Sequence, residues 1–266
     1  MTENTPENAL TESAPQFLNL NDNRRLAYHR HQAGAARGTK PGVVFMGGFR
    51  SDMTGSKATH FEQLCREMGT DYLRFDYTGH GDSSGEFADG SIGEWSQDAI
   101  DALDHLTTGP QILIGSSMGG WIMLNVAVAR PDRLHALVGI AAAPDFTEEL
   151  MWASMTAQDR ETLMRDGRIE QPNDYSDEPY LITKKLIEEG RDHRRLTQAL
   201  PITCPIRLIH GIRDTDVPYG LSERLAHHLD SDDVELILIK NGDHRLSDAH
   251  PLTLTSQVIQ TLLAGS

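Results

Sequence analysis

The chain has 266 residues, of which 38% are hydrophobic, 24 are lysine or arginine and 39 are aspartate or glutamate. This length and composition are typical of one globular α/β domain with an insertion rather than of two independent domains. The formal net charge of −15 argues against nucleic acid or an anionic membrane surface as a partner, because both are negatively charged.

The N-terminal segment, residues 1–15, is acidic and polar and is predicted to be a disordered tail. It has neither the basic and apolar regions of a signal peptide nor the arginines of a mitochondrial leader. No apolar run approaches the ~20 residues of a membrane span. The two cysteines, Cys65 and Cys204, lie far apart in apolar settings, which favours buried thiols in a reducing compartment. These features together predict a cytoplasmic protein.

Strand patterns and helix patterns alternate along most of the chain. The predicted strands cover residues 17–20, 25–31, 42–46, 71–75, 111–114, 134–141, 206–210 and 234–240. The predicted helices between them cover residues 57–68, 92–106, 121–128, 219–229 and 251–263. This alternation predicts an α/β fold with a mostly parallel eight-stranded sheet, helices on both faces and an antiparallel hairpin at one edge.

One interval, residues 144–200, interrupts the alternation. It contains no strand pattern, only helical segments at about 148–155, 158–164, 180–189 and 191–200. We therefore expect a helical cap over a core formed by residues 16–143 and 201–266. Met151, Trp152 and Met155 fall within about one helical turn of each other, and two interpretations stay open: they bind an acyl chain, or they attach the cap to the core.

The most informative motif is Gly115-Ser116-Ser117-Met118-Gly119, a G-x-S-x-G pattern between a predicted strand and a predicted helix. A serine on such a sharp turn has strained backbone angles, and larger side chains two residues away would clash with the adjoining strand and helix. The turn exposes the serine hydroxyl. Ser117 is therefore the candidate nucleophile.

A serine nucleophile needs a base that is oriented by an acid. Asp214 follows the predicted strand 206–210 in the pattern H-G-x-x-D-x-x-V-P, and His244 follows the next predicted strand. The order Ser, Asp, His is that of this class of sheet, and all three residues fall at the edge where open α/β sheets place active sites. Asp216 and Asp243 are the alternatives for the acid.

Two backbone amides are candidates for an oxyanion hole. The Met118 N–H begins the helix after Ser117, and the Phe49 N–H lies in the loop Gly47-Gly48-Phe49. His80, in a dense turn, is interpreted as structural. The sequence has neither metal-ligand spacing nor a nucleotide-binding glycine motif, so we expect no metal and no cofactor.

Five segments together resemble the α/β-hydrolase superfamily over about residues 17–265: 47–49, 76–83, 115–120, 210–218 and 242–244. Segments 48–58 and 242–247 are similar to the abhydrolase-domain depalmitoylase subfamily, whose members cleave protein S-palmitoyl thioesters and acyl glucuronides. The resemblance implies that Ser117, Asp214 and His244 form the triad. The animal members are mitochondrial and carry a leader, which this chain lacks, so a bacterial relative is indicated. Asp52 and Lys57 belong to the resembling stretch and are interpreted as part of a capped helix start.

The leading hypothesis is a serine esterase or thioesterase (an ester hydrolase of the EC 3.1 class) that forms an acyl-enzyme on Ser117. Its expected substrate is a small-molecule ester or thioester, or an S-acylated protein. The alternatives are a short-chain carboxylesterase, a peptidase or amidase that would use Asp145, Glu148 or Glu149 to anchor an amine, and a non-catalytic receptor. The pattern leaves the acyl length, the leaving group and the oligomeric state open.

Overall fold

The computed structural model describes residues 14–172 and 179–265. The predicted tail, residues 1–15, lies almost wholly outside them. The strands are β1 (Gln16–Asn19), β2 (Arg25–His31), β3 (Gly42–Met46), β4 (Tyr72–Phe75), β5 (Gln111–Ser116), β6 (Leu134–Ile140), β7 (Arg168–Gln171), β8 (Tyr180–Thr183), β9 (Ile206–Gly211) and β10 (Val234–Ile239). The helices are α1 (Ser56–Met68), α2 (Ile92–Leu106), α3 (Met118–Ala129), α4 (Ala157–Asp166), α5 (Lys184–Asp192), α6 (Gly220–His228) and α7 (Ala249–Ala264), with a π-helix at Thr147–Trp152.

Eight strands form one sheet in the order β1-β2-β4-β3-β5-β6-β9-β10. The hairpin strand β2 runs antiparallel to β1 and β4, whereas the pairs from β4 through β3, β5, β6 and β9 to β10 are parallel. This is the predicted α/β-hydrolase architecture, and the fold prediction is confirmed.

Helices bury both faces of the sheet. In β3, Val44 and Met46 belong to the core cluster beneath α2, α3 and α6, whereas Val43 and Phe45 belong to the cluster beneath α1 and α7. Successive side chains of a strand point to opposite faces, and a strand covered on both faces must be apolar throughout. Among the described residues, the helices lack the length and apolar character that a bilayer crossing needs. Cys65 is buried and Cys204 is partly exposed, and both are free thiols.

The insertion at residues 144–200 is not purely helical, and this part of the prediction needs correction. The antiparallel strands β7 and β8 pair from Arg168 with Thr183 to Gln171 with Tyr180. The helix predicted at 180–189 therefore begins only at Lys184, and the one predicted at 191–200 does not form, because α5 ends at Asp192. β7 has only one apolar residue in four, and β8 is followed directly by α5, so neither segment shows a strand pattern of its own.

Candidate active site

Ser117 lies on the sharp turn between β5 and α3. Its backbone angles are φ 54° and ψ −120°, a left-handed conformation that costs free energy for any residue except glycine. The flanking glycines are required by space: a Cβ on Gly115 would lie 2.4 Å from the Gly119 oxygen, and one on Gly119 would lie 2.1 Å from the Met46 oxygen. The turn therefore has the geometry that the G-x-S-x-G pattern predicts.

The structure brings Ser117, His244 and Asp214 into one hydrogen-bonded chain. The Nε2 atom of His244 lies 3.0 Å from the Ser117 hydroxyl oxygen, and Nδ1 lies 2.8 Å from Oδ2 of Asp214. An ionised carboxylate can only accept, so Nδ1 carries the proton and Nε2 is free to accept one from the serine. This tautomer suits a general base.

The Asp214 carboxylate is buried and held by four donors. Oδ1 accepts the backbone N–H groups of Asp216 at 3.0 Å and Val217 at 2.8 Å, while Oδ2 faces His244 and, at 3.1 Å, Nε2 of His210. Burial by itself raises the pKa of Asp214, but the hydrogen bonds from His210, His244 and Val217 outweigh it and hold the pKa well below its usual value. The carboxylate is thus kept ionised and fixed in orientation.

His210 is a part of this arrangement to which the sequence analysis assigned no role. Its ring is fully buried, and its Nδ1 lies 2.7 Å from the Ser222 hydroxyl. Its Nε2 also lies 2.9 Å from the carbonyl of Val217, so it ties the loop that carries Asp214 to the end of β9. The only signal in the sequence was its place at the start of the pattern H-G-x-x-D.

We expect log kcat/KM to rise with pH along an acid limb of slope one. Hydrogen bonds hold the pKa of the Asp214 carboxyl well below its usual value, so Asp214 stays ionised along this limb and takes up no second proton, while only a neutral imidazole can accept a proton from Ser117. A pH–rate profile of a neutral ester over about pH 5 to 9 measures it. A limb of slope two would contradict the assignment, because it would mean that Asp214 titrates as well.

The two alternative acids take other positions. Asp243 accepts the backbone N–H of Leu246 at 2.9 Å, and the exposed Asp216 lines the cavity at its mouth. Asp214, Asp216 and His244 do place ligand-type atoms within 4.8 Å of one another, although their spacing in sequence suggested no metal site. A cation there would have to break the bond between Asp214 and His244, so we interpret these two residues as a hydrogen-bonded pair in which the carboxylate orients the imidazole.

The two amides predicted to form the oxyanion hole belong to segments next to Ser117. Met118 is the first residue of α3, and the N–H groups of a first turn have no acceptor within their own helix. The loop after β3 passes close by: a Cβ on Gly48 would lie 3.4 Å from Cβ of Ser117.

The ring of Phe49 is held in this loop by edge-on contacts with four aromatic rings at 4.9 to 6.1 Å between centroids, namely Phe87, Trp95, Phe146 and Tyr180.

Ser117 opens into a cavity of about 1080 Å³ between the core and the insertion. This volume is slightly above the ~300 to 1,000 Å³ of common ligand sites. Its apolar lining comes from both parts of the chain: Phe45, Phe49, Met118 and Val217 of the core, and Phe146, Leu150, Met151, Tyr180 and Ile182 of the insertion.

Of the three cap residues predicted to bind substrate, only Met151 lines the cavity. Met155 is buried in a separate cluster inside the insertion, and Trp152 packs against that cluster. The Trp152 ring also lies 5.0 Å from the guanidinium of Arg160 and 4.8 Å from that of Arg191. The reason is the π-helix, whose wider turn changes which side chains share a face. The pocket assignment of Trp152 and Met155 is therefore corrected to a packing role.

The remaining residues of interest are structural or lie at the rim. His80 is buried among aromatic rings, and its burial lowers its pKa to about 4. Asp52 accepts from the backbone and hydroxyl of Thr54 at 2.7 and 2.5 Å. The N-cap of α1 is Gly55, without a side-chain cap, so the interpretation of Asp52 and Lys57 as part of a capped helix start is wrong. Lys57 reaches the loop that carries His244.

The sheet order and the serine–histidine–aspartate arrangement define a hydrolase of the α/β-hydrolase superfamily. A family model described as serine aminopeptidase, S33, matches residues 39–185. The mitochondrial palmitoyl-protein thioesterase ABHD10 of Mus musculus is 39% identical over 248 residues, which cover 93% of this chain and 82% of the mouse protein.

Two solved structures are similar over nearly the whole chain. Mouse α/β hydrolase domain-containing protein 10 has a TM-score of 0.87 and 36% identity, covering 95% of this chain and 99% of the mouse chain. A putative hydrolase from Agrobacterium vitis S4 has a TM-score of 0.89 and 36% identity, covering 95% and 98%. The chain therefore belongs to the ABHD10 family of α/β hydrolases, and it is a serine hydrolase acting on esters or thioesters.

The cytoplasmic location predicted from the sequence is wrong. The ABHD10 relatives from Mus musculus, Bos taurus and Homo sapiens are all named as mitochondrial, which contradicts this prediction. The prediction depended on the missing leader pattern, and an absence of this kind does not decide a location.

Proposed function

We propose that the chain is a long-chain acyl thioesterase whose catalytic triad is Ser117, His244 and Asp214. The observation that carries the proposal is the hydrogen-bonded chain of these three residues at the wall of a large cavity with an apolar lining. The names of the ABHD10 relatives support the acyl thioester as substrate. Residues 144–200 are the cap that shapes the acyl site, and residues 16–143 and 201–266 are the core.

The proposed reaction proceeds in two acyl transfers. The Ser117 hydroxyl oxygen attacks the thioester carbonyl while Nε2 of His244 takes the hydroxyl proton, and the N–H groups of Phe49 and Met118 bind the resulting oxyanion. The C–S bond then breaks, and the imidazolium returns the proton to the leaving sulfur. A water molecule repeats the sequence on the acyl-enzyme, which releases the fatty acid and restores Ser117.

A peptidase function is less well supported, although the matching family model is described as a serine aminopeptidase. The three carboxylates that could anchor a substrate amine already have partners in the protein. Glu148 pairs with Arg191, Glu149 pairs with Arg194 and Arg224, and buried Asp145 accepts the backbone N–H groups of Arg195 and Leu196. An amine would have to displace an arginine or a backbone donor.

For a series of acyl thioesters from acetyl to palmitoyl, we expect kcat/KM to rise with chain length and then level off. Each CH₂ that enters the apolar part of the cavity adds up to about fourfold, equivalent to ~0.8 kcal/mol. Met151→Ala lowers the values for the longest chains by about tenfold and those for acetyl much less. Steady-state kinetics on the series, with matched oxygen esters, acyl glucuronides and amides, make the test.

The matched control is Trp152→Ala. Because Trp152 packs inside the insertion rather than on the cavity wall, its loss lowers the melting temperature and affects all chain lengths alike. Values of kcat/KM that fall steadily from acetyl upward would refute the long-chain proposal and leave a short-chain carboxylesterase. An enzyme inactive on the whole series would instead favour a receptor.

A further inference from the structure

The peptide unit between Arg245 and Leu246 is held at both of its ends. Its carbonyl oxygen accepts a hydrogen bond from the ammonium group of Lys57 at 2.5 Å. Its N–H donates to Oδ1 of Asp243 at 2.9 Å. This peptide unit begins one residue after His244. Two oppositely charged side chains therefore form hydrogen bonds with the backbone next to the residue that carries the imidazole.

The turn that contains the peptide unit between Arg245 and Leu246 is strained. Leu246 has a φ of +48° and a buried side chain that packs in the core, and a bulky residue rarely adopts this conformation unless its surroundings hold it there. Relaxation of the turn would rotate the preceding peptide and displace His244, which lies two residues earlier. A hydrogen bond at each end of the peptide opposes that rotation.

Lys57 projects from a rigid base. It lies in the first turn of α1, and the segment just before this helix is fixed by Met53, whose N–H donates to Asp76 at 2.6 Å and whose carbonyl accepts from Arg74 at 2.7 Å. The ammonium group also lies 3.4 Å from the Ser247 hydroxyl. Lys57 thus connects the start of α1, which follows the loop of Phe49, to the loop of His244.

The charges around Lys57 agree with this role. Burial lowers the pKa of Lys57 to about 8, while the Asp243 carboxylate raises it and the Arg245 guanidinium lowers it. The attraction between Lys57 and Asp243 therefore acts across the peptide that both of them bind.

We propose that Lys57 is a positioning residue which, together with Asp243, keeps the His244 imidazole at hydrogen-bonding distance from Ser117. The inference rests on the proposed triad. Lys57 acts through the backbone of residues 245 and 246, and a displacement of a catalytic group by 1 Å costs on the order of 100-fold in rate.

The test replaces Lys57 by methionine, which keeps the length of the chain and removes the donor. We expect Lys57→Met to lower kcat for a short, neutral ester about 30- to 100-fold with little change in KM, and Lys57→Arg to recover most of the loss. The matched control is Lys40→Met: the Lys40 ammonium donates to the Met68 carbonyl at 2.7 Å, at the opposite end of α1, so the same kind of bond is lost far from His244.

A double-mutant cycle tests whether Asp243 acts together with Lys57. Because Lys57 and Asp243 bind the same peptide unit, Lys57→Met combined with Asp243→Ala should lower kcat much less than the product of the two single effects. If the effects of the two substitutions on kcat multiplied, the two residues would act separately, and the proposed joint role of Lys57 and Asp243 would be rejected.

A measurement that needs no substrate completes the test. The proton on Nδ1 of His244, bonded to Asp214, is expected to give a downfield NMR signal that is retained in Lys40→Met and is broadened or shifted in Lys57→Met.

An NMR signal and a kcat in Lys57→Met equal to those of Lys40→Met would overturn the inference. A rise in KM at constant kcat also overturns it, since Lys57 would then bind substrate. Failure of the wild-type enzyme to cleave any ester or thioester would refute the proposed function instead, while the NMR comparison still decides whether Lys57 positions His244.

Discussion

Ser117→Ala lowers kcat by roughly 10⁶-fold and leaves only the residual rate supplied by binding and the oxyanion hole. In the proposed reaction the acyl-enzyme cannot form without this hydroxyl, whose oxygen lies 3.0 Å from Nε2 of His244. Single-turnover kinetics with a chromogenic thioester measure the loss. In the wild type, a fluorophosphonate is expected to label Ser117 alone, because only an activated hydroxyl reacts quickly.

Ser116→Ala is the matched control, because Ser116 is the adjacent residue and also lines the cavity, yet it is buried at the end of β5. Its loss should change kcat less than about threefold. Labelling of Ser116, or unchanged labelling in Ser117→Ala, would show that the nucleophile is misassigned.

Asp214→Asn lowers kcat by about 10⁴-fold, the loss known for the equivalent change in a serine protease triad. The structure explains the direction of the effect. Oδ1 accepts two backbone N–H groups, from Asp216 and Val217, so the amide oxygen of an asparagine must take that side. Its NH₂ group then faces His244 and donates to Nδ1, which places the imidazole proton on Nε2. That nitrogen can no longer act as the base.

The second consequence of Asp214→Asn is a conflict between two hydrogen-bond donors. Nε2 of His210 lies 3.1 Å from Oδ2 of Asp214, so in the asparagine variant it would face the NH₂ group instead of an acceptor. Asp216→Asn is the control, since its backbone N–H is unchanged, and it should lower kcat less than about tenfold. Comparing kcat and melting temperature in both variants separates chemistry from folding. Equal losses in kcat for the two would disprove the assignment of Asp214 as the orienting acid.

Local chemistry explains why much of the core could be predicted. The strand pattern at 42–46 matches β3 residue for residue, because a strand buried on both faces must be apolar throughout. The turn at Ser117 was equally clear, since Gly115 and Gly119 each lack the space for a Cβ. Both signals lie within a few consecutive residues.

Local sequence patterns fail to predict the structure of the insertion, residues 144–200. Met151 and Trp152 are neighbours in sequence, and a regular helix placed them on one apolar stripe together with Met155. The structure has a π-helix at Thr147–Trp152, in which both side chains pack against the cluster inside the insertion but only Met151 also lines the cavity. A π-helix and a hairpin of four-residue strands depend on contacts with distant segments, so they leave little periodicity of their own.

The strands of the sheet, the turn at Ser117 and the strand ends at which Asp214 and His244 lie could be predicted from local patterns, because hydrophobic periodicity and glycine sterics act over short stretches of chain. The contacts between atoms depend on the folded chain: His210 against the Asp214 carboxylate, Asp243 on the backbone of Leu246, and Lys57 on a carbonyl 188 residues away. These contacts join loops from separate strands and helices. Their partners are chosen by the packing of the whole sheet and its helices, which no local pattern encodes.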